Sequence, residues 1–163
     1  MAIKYLKKAI KTPSSDDNKT RASVQSILND IEKRREESIK EISKKLFIKN
    51  KINTPNILVA GCGTGQHSIA TAAKFKNSKV LGIDLSLSSL AYAVRKACEL
   101  GIENIDHFQG DILELETTER QFDLIECTGV LHHLHNPLAG LRVLLKLLRT
   151  GGLLKIALYS KVA

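Results

Sequence analysis

The stretch Ile57-Leu-Val-Ala-Gly-Cys-Gly-Thr-Gly65 decides the fold. Its short apolar run predicts a buried strand, and the glycines at every second position predict a tight turn. The alanine-rich pattern that begins at Gln66 predicts a helix directly after this turn. Such a loop aims the free amides of the helix N-terminus at the space above the strand. The sequence therefore predicts an α/β ligand-binding unit at this point.

The spacing of the glycines restricts the ligand. A dinucleotide fingerprint needs G-x-G-x-x-G, whereas this loop is G-x-G-x-G and continues with Gln66. A phosphate loop needs Gly-Lys-Ser/Thr after its last glycine, and His67 follows Gln66 instead. No Lys or Arg lies between Lys51 and Lys74, which favours a ligand other than a polyphosphate. A purely structural turn is the alternative for the loop by itself.

Carboxylates follow the next two predicted strands. The run from Lys79 ends at Asp84, where α/β cofactor folds bind ribose hydroxyls, and a carboxylate can accept both hydroxyl hydrogens. The third strand leads to Asp111, which can accept a hydrogen bond from an adenine amino group, while the Ile112 amide can donate to a ring nitrogen. A helix cap at Asp84 and an Asx turn at Asp111 are the simpler interpretations.

Two more apolar strands follow, over residues 121–127 and 153–159, the second after a Gly-Gly turn. With them the chain from about Asn56 to Ser160 resembles the class I S-adenosylmethionine-dependent methyltransferases. It is similar in particular to the methyltransferase domains that some bacterial proteins join to tetratricopeptide repeats. The resemblance rests on five motifs: AGCGTGQHS (60–68), GIDLS (82–86), QGDIL (109–113), FDLIECTGVLHHL (122–134) and LLRTGGLLKIALYS (147–160).

The resemblance implies an α/β fold with a Rossmann-like, doubly wound, mostly parallel sheet, S-adenosylmethionine as cofactor and a small-molecule methyl acceptor. It implies that Asp84 holds the ribose and that Leu85 packs on the adenine. Asp111 and Ile112 would contact the adenine edge, and Thr128 would border the methyl-transfer cleft. The methionine and ribose part would lie against the first loop, namely Ala60, Gly61, Cys62, Gly63, Thr64 and Gly65.

The catalytic residues are not identified by the sequence. Methyl transfer from a sulfonium needs no covalent nucleophile, and none stands out. His132 and His133, on the cleft side of the fourth strand, are weak candidates for a general base. Together with His135 they lack the spacing of a closed metal site, so no metal is predicted. Two alternative functions stay open: a non-catalytic cofactor-binding or interaction module, and an NAD-dependent oxidoreductase.

Two features depart from the family pattern. Thr150 stands where the family usually has proline before the glycine pair. Members of the family also continue through a helix and two further strands, whereas this sequence stops at Ala163. The sequence therefore predicts a fifth strand, Leu153 to Leu158, at an exposed sheet edge. Self-association through that edge and weak or absent methyl transfer are the expected consequences.

Residues 1–52 are predicted to form a basic helical leader, and residues 53–163 the S-adenosylmethionine-binding domain. Residues 1–55 hold 14 Lys and Arg against 7 Asp and Glu, whereas residues 56–163 hold 11 against 10. The leader's apolar residues recur at helical steps: Val24, Ile27, Leu28, Ile31, Ile39, Ile42 and Leu46. Acids interrupt its basic residues, and aromatic residues make up 4% of the chain, so a nucleic-acid partner is not expected.

The cellular compartment is predicted from cysteines and hydropathy. No run of 18 apolar residues occurs, so no membrane span is predicted, and the N-terminus lacks an apolar signal core. The three cysteines, Cys62, Cys98 and Cys127, lie within apolar or glycine patterns and read as reduced thiols. A cytoplasmic protein is expected.

Overall fold

A five-stranded, wholly parallel sheet forms the centre of the fold. The computed structural model describes residues 33, 34, 37, 38, 40–45, 47, 48 and 52–158. The strands are β1 (Asn56–Ala60), β2 (Lys79–Asp84), β3 (Ile105–Gln109), β4 (Phe122–Thr128) and β5 (Leu148–Ala157). Their order across the sheet is β3-β2-β1-β4-β5. The predicted Rossmann-like, doubly wound sheet is thereby confirmed.

Three helices connect the strands: α1 (Gln66–Lys74), α2 (Leu87–Glu99) and α3 (Pro137–Leu147). Short 3₁₀ helices follow β3 and β4, at Leu113–Thr117 and Leu131–His133. The start of α2 is capped by Ser86, whose hydroxyl accepts from the Ser89 amide at 3.2 Å. The start of α3 is capped by Asn136, with Pro137 in the first helical position. Within the described residues, no helix is both long and apolar enough to cross a bilayer.

The two faces of the sheet bury separate hydrophobic clusters. On one face, Leu58 and Ile125 pack with Val143 and Leu144 of α3. On the other face, the cluster contains these buried residues: Phe47, Ile57, Val59, Cys62, Ala72, Val80, Leu90 and Leu124. Because apolar side chains cover both faces, the inner strands read as continuous apolar runs, as expected of a parallel sheet.

The described part of the leader packs by a different face from the one predicted. Residues 40–45, 47 and 48 are helical. Ser43 and Phe47, four positions apart, are buried, whereas Ile42 of the predicted apolar stripe is 53% exposed. The predicted stripe omits Phe47, and a pattern of hydrophobic residues cannot include a buried serine. The predicted residues Val24 to Ile31, together with Ile39 and Leu46, lie outside the described residues.

The fifth strand begins earlier than the sequence predicts. Leu148 pairs with Phe122, and pairing resumes at Leu153 with Leu124, so residues 149–152 stand opposite the single residue Asp123. The predicted Gly-Gly turn is therefore a bulge inside β5, and Gly151 has a φ of 79° there. Among the described residues, β5 forms one edge of the sheet.

The bulge closes over a buried carboxylate. Asp123 is 1% exposed. Its Oδ2 accepts from the Asn56 amide at 2.8 Å, and Arg149 Nη1 donates to Oδ1 and Oδ2 at 2.9 and 3.1 Å. Asp123 thus joins the start of β1 to the beginning of β5 across β4.

Replacing Asp123 should weaken the sheet measurably. Asp123→Ala leaves the Asn56 amide without its acceptor, and the expected loss in unfolding free energy is about 1–3 kcal/mol. The matched control Glu103→Ala removes an exposed carboxylate and should stay within about 0.5 kcal/mol of the wild type. Urea unfolding followed by circular dichroism measures both. Equal losses in the two variants would contradict the linking role of Asp123.

Candidate functional site

A cavity of about 520 Å³ lies at the carboxyl ends of the strands. This is the edge at which open α/β sheets bind their ligands. Five predicted cofactor residues line it together, each from the end of a strand or the loop after it: Gly61, Asp84, Leu85, Asp111 and Ile112. The volume lies within the range usual for small-molecule sites.

The end of β2 holds the glycine loop in place. The Gly61 and Cys62 amides both donate to the Ile83 carbonyl oxygen at 2.8 Å. The Gly63 amide donates to Asp84 Oδ2 at 2.7 Å. Three successive amides of the loop are therefore used within the protein, and the loop has one defined path over the strand ends.

The three glycines of the loop have different surroundings. A β-carbon at Gly61 would collide with the Val130 side chain, and one at Gly65 would lie 2.5 Å from the Ala93 β-carbon. A β-carbon at Gly63 would meet no atom within 4 Å. Gly61 and Gly65 are thus required by packing, whereas Gly63 borders open space.

Asp84 combines a structural role with spare hydrogen-bonding capacity. Oδ1 accepts from the Ser86 amide at 2.9 Å, and Oδ2 accepts from the Gly63 amide. Each oxygen of an ionised carboxylate has a second lone pair, so two hydroxyl groups can still be accommodated. The simpler interpretation, a cap-like turn after β2, is therefore compatible with ligand binding.

The far wall of the cavity comes from the segment after β3. Asp111 Oδ1 accepts from the Leu113 amide at 2.9 Å in an Asx-type turn, which leaves Oδ2 available. Ile112 is buried, whereas Leu85, from the loop after β2, is 66% exposed. A polar group and two apolar side chains in one wall suit a planar heterocycle with a polar edge.

The other predicted cofactor residues do not line this cavity. Ala60 and Cys62 are buried, and Gly65 packs against Ala93. Thr64 is exposed and lines a separate, mainly apolar cavity of about 550 Å³ between α1 and α2. Thr128 is exposed at the end of β4.

Six residues of the strand-end cavity were not predicted as cofactor contacts: Gly110, Leu113, Gly129, Val130, Leu134 and His135. All of them neighbour a predicted residue or follow the end of β4 closely. The sequence signal that could have identified them is their position directly after the predicted strand ends. His133 also lines the cavity, whereas its partner candidate His132 is half-buried with its ring 4.0 Å from that of His133.

The thiols near the site are poorly suited to nucleophilic chemistry. Burial, reinforced by the charge of Asp84, raises the pKa of the Cys62 thiol to about 11. Burial likewise raises the pKa of the Cys127 thiol to about 11. Both groups are therefore uncharged thiols near neutral pH.

A buried carboxylate lies on the α1 face of the sheet. Glu126 of β4 is 4% exposed, and Thr71 donates to its Oε2 at 2.6 Å. His67 Nε2 lies 3.1 Å from the same oxygen, and Lys155 Nζ lies 3.4 Å from Oε1. Burial alone raises the pKa of this carboxyl, but its contacts with the other three residues outweigh burial and lower the pKa to about 2.

Comparison with known proteins identifies the family. Residues 57–152 match the family described as a methyltransferase domain. The match covers more than half of the chain, and the chain therefore belongs to that family. The predicted class I methyltransferase is confirmed, and the oxidoreductase alternative has no support. The similarity to domains joined to tetratricopeptide repeats stays a prediction.

Individual relatives extend beyond this chain. An uncharacterized protein of Synechococcus is 36% identical over 112 residues, 68% of this chain and 27% of that protein. A probable (S)-tetrahydroprotoberberine N-methyltransferase of Papaver bracteatum is 32% identical over 80 residues, 49% of this chain and 22% of its own length. The structure of PKMT2 from Rickettsia typhi in complex with AdoHcy has a TM-score of 0.59 at 29% identity, covering 64% of this chain and 21% of that one. The chain thus spans only 21–27% of the length of these relatives.

Alanine substitutions at Gly65 and Gly63 should separate the energetic cost of overpacking from that of left-handed backbone strain. Gly65→Ala adds overpacking against Ala93 to left-handed strain, and should cost roughly 2–4 kcal/mol of unfolding free energy. Gly63→Ala adds the strain alone, at about 1–2 kcal/mol. Thermal and urea unfolding measure the difference. A Gly63 variant less stable than the Gly65 variant would contradict the open surroundings of Gly63.

At acidic pH, the free energy of unfolding should depend on the ionisation of Glu126. Because its folded pKa of about 2 lies below the ordinary value of 4.5, Glu126 contributes stability that is complete above that ordinary value and is lost as the pH falls towards 2. The Glu126→Gln variant has no such titration. Its deficit in unfolding free energy should therefore shrink from about pH 6 to about pH 2.5, measured by urea titrations. A deficit that is independent of pH would contradict an ionised Glu126.

Proposed function

We propose that this domain binds S-adenosylmethionine in the strand-end cavity and transfers its methyl group to a small molecule. The observation that carries the proposal is the meeting of Gly61, Asp84 and Asp111 in one cavity of a chain from the methyltransferase family. The AdoHcy bound to PKMT2, a relative in fold and sequence, adds support for the cofactor.

The residues present fit this cofactor. The free lone pairs of Asp84 suit the two ribose hydroxyls, and the charge of a carboxylate strengthens each such hydrogen bond. Asp111 suits an adenine amino group, and the apolar side chains of Leu85 and Ile112 suit the ring. The open space beside Gly63 admits the methionine part against the backbone.

The protein's part in the reaction is positioning. When bound, the cofactor supplies a methyl group that its sulfonium already makes electrophilic. The glycine loop, held by Ile83 and Asp84, would fix the cofactor on the strand ends. The family resemblance implies that Thr128, exposed at the end of β4, would border the acceptor's approach. Alignment of the two reactants is the main source of rate in such a site.

The acceptor is proposed to be a small molecule with a nucleophilic atom. The Papaver relative, named as a probable (S)-tetrahydroprotoberberine N-methyltransferase, supports this class. His133 remains a candidate for the acceptor's proton, since it lines the cavity. Binding without turnover is the alternative, and a methyl-transfer assay on amine and phenol acceptors distinguishes the two.

Two further predictions concern the setting of the domain. Cys62, Cys98 and Cys127 are all unpaired in the structure, which supports the proposed cytoplasmic location. Self-association through β5 stays a proposal, to be measured by light scattering. Two observations support it: β5 forms an edge of the sheet among the described residues, and Lys155 of that strand lies 3.4 Å from Glu126 Oε1 on the neighbouring strand.

Calorimetry tests the proposed cofactor. S-adenosylhomocysteine should bind the wild type, and Asp84→Ala should weaken binding by about 10- to 100-fold through the loss of charge-assisted hydrogen bonds. Ser86→Ala is the matched control: it removes the cap of α2, at a cost of about 1 kcal/mol in stability, but retains the carboxylate. Its affinity should stay close to that of the wild type.

Two results would contradict the proposed cofactor or the proposed role of Asp84. Binding of NAD in place of S-adenosylhomocysteine would remove the proposed cofactor. A folded Asp84→Ala protein with unchanged affinity would reduce Asp84 to its bonds with Gly63 and Ser86.

A further inference from the structure

Two neighbouring cavities flank the exposed side of α1. The first is the cavity of about 550 Å³ between α1 and α2. The second, of about 830 Å³, lies between α1 and the described part of the leader, where Lys40, Lys44 and Phe47 line it. Ala70 and Ala73 of α1 line both cavities, so the two form one continuous surface. This surface, with the two alanines at its centre, is called the basic groove here.

The charged side chains that line the basic groove have one sign. They are Lys40, Lys44, Lys74 and Lys76 in the larger cavity and Lys96 in the smaller one. No aspartate or glutamate of the described ranges lines either cavity, and Glu41, on the same helical segment as Lys40, is not among the lining residues. Lys96 is held by Glu99 at 2.6 Å, so the larger cavity has the stronger positive charge. The basic groove therefore favours an anionic partner.

The walls between the lysines are mainly apolar. At the smaller cavity, Leu100 and Tyr92 are 63% and 43% exposed. The other large apolar residues that line the two cavities are Phe47, Ile52, Ile69, Phe75 and Ile102. Exposed apolar side chains rimmed by polar groups mark interaction sites. A partner that covers this surface needs an apolar stripe as well as acidic groups.

We propose that the basic groove binds an amphipathic helix of a partner protein, with an apolar stripe between acidic flanks. The small side chains of Ala70 and Ala73 let a second helix approach α1 closely. Its apolar stripe covers α1 and fills the cavities on either side, as amphipathic helices do in hydrophobic grooves. Its acidic residues face Lys40 and Lys44, which lie one helical turn apart and so leave their helix on the same side.

Other anionic partners match the basic groove less well. The apolar side chains line recesses, which a bilayer is too flat to fill. The phosphates of a nucleic acid would satisfy the lysines but would leave the apolar walls uncovered. A helix with acidic flanks satisfies both the charge and the apolar walls.

The basic groove is separate from the proposed cofactor site. None of its residues lines the strand-end cavity. Thr64 of the glycine loop and Gln66, the first residue of α1, lie at its edge in the smaller cavity. A docked helix would therefore lie beside the cofactor loop without occupying the cavity, and the inference does not depend on methyl transfer.

Fluorescence anisotropy with a labelled synthetic helix and the full chain tests the proposal. The probe has leucine along one face and glutamate elsewhere. One comparison peptide replaces every glutamate by glutamine, and the other scrambles the sequence so that no apolar face forms. The probe should bind about tenfold or more tightly than either comparison peptide. Its affinity should fall as the salt concentration rises from about 50 to about 300 mM.

Variants locate the binding surface. Lys40→Gln/Lys44→Gln should weaken binding about three- to tenfold, whereas the control Arg142→Gln/Lys146→Gln, which removes two exposed cations of α3, should stay within about twofold of the wild type. Ala73→Glu places a carboxylate at the centre of the basic groove and should weaken binding about tenfold or more. Its control, Ala91→Glu at an exposed position of α2, should have little effect.

Several results would overturn the proposal. Equal affinity for the glutamate and glutamine peptides would do so, as would equal losses in the two double variants, because attraction would then follow net charge alone. Vesicles containing phosphatidylglycerol and a DNA duplex are titrated in parallel, and binding of either one in place of the peptide would assign the basic groove to that partner. Self-association that is lost in Ala73→Glu, without peptide binding, would assign it to a second copy of the chain. The comparison of peptides uses the wild type and decides even if a variant fails to fold.

Discussion

Three hydrogen bonds join the end of β2 to the glycine loop: Ile83 accepts the amides of Gly61 and Cys62, and Asp84 accepts that of Gly63. These bonds fix the glycine loop beside Asp84, and both Gly61 and Asp84 line the strand-end cavity. The same carboxylate accepts the amide of Ser86 before α2, so the loop and the second helix are held by a single side chain. Because the rigid end of β2 holds the glycine loop, even a short loop has a defined position at this site.

The two faces of the sheet contribute differently to the proposed chemistry. The α3 side is apolar beneath the cavity, with Leu58 and Ile125 covered by Val143 and Leu144. The α1 side contains the buried carboxylate of Glu126, with the half-buried Lys155 Nζ 3.4 Å from its Oε1. A low pKa at Glu126 means that the negative charge is maintained throughout the physiological pH range. The arrangement therefore keeps a fixed anion between β4 and the start of α1.

Local sequence rules predicted the strands and the strand-end acids because each depends on neighbours in the chain. The Rossmann-like, doubly wound sheet was implied by the family resemblance and is observed, and the two acids that the same resemblance assigns to the cofactor, Asp84 and Asp111, line one cavity. The bulge opposite Asp123 was missed because it depends on a contact with Arg149 that spans 26 positions. The contacts of Glu126 with Thr71, His67 and Lys155, here called the Glu126 cluster, were missed for the same reason, since its partners belong to other elements of the fold. The burial of Ser43 depends on helix packing and leaves no hydrophobic signal.

The strand order also determines when β1 can pair with each of its neighbours during protein synthesis. Ile57 of β1 pairs on one side with Val80, 23 positions later, and on the other with Leu124, 67 positions later. During synthesis from the N-terminus, the most apolar strand of the sheet therefore finds its first neighbour early and waits for its second until β4 has emerged. Throughout this interval one side of β1 exposes unpaired amides and carbonyls beside bare hydrophobic surface. The glycine loop belongs to the part of the chain that is synthesised before β4. The Glu126 cluster can form only after β4 and β5 have been synthesised.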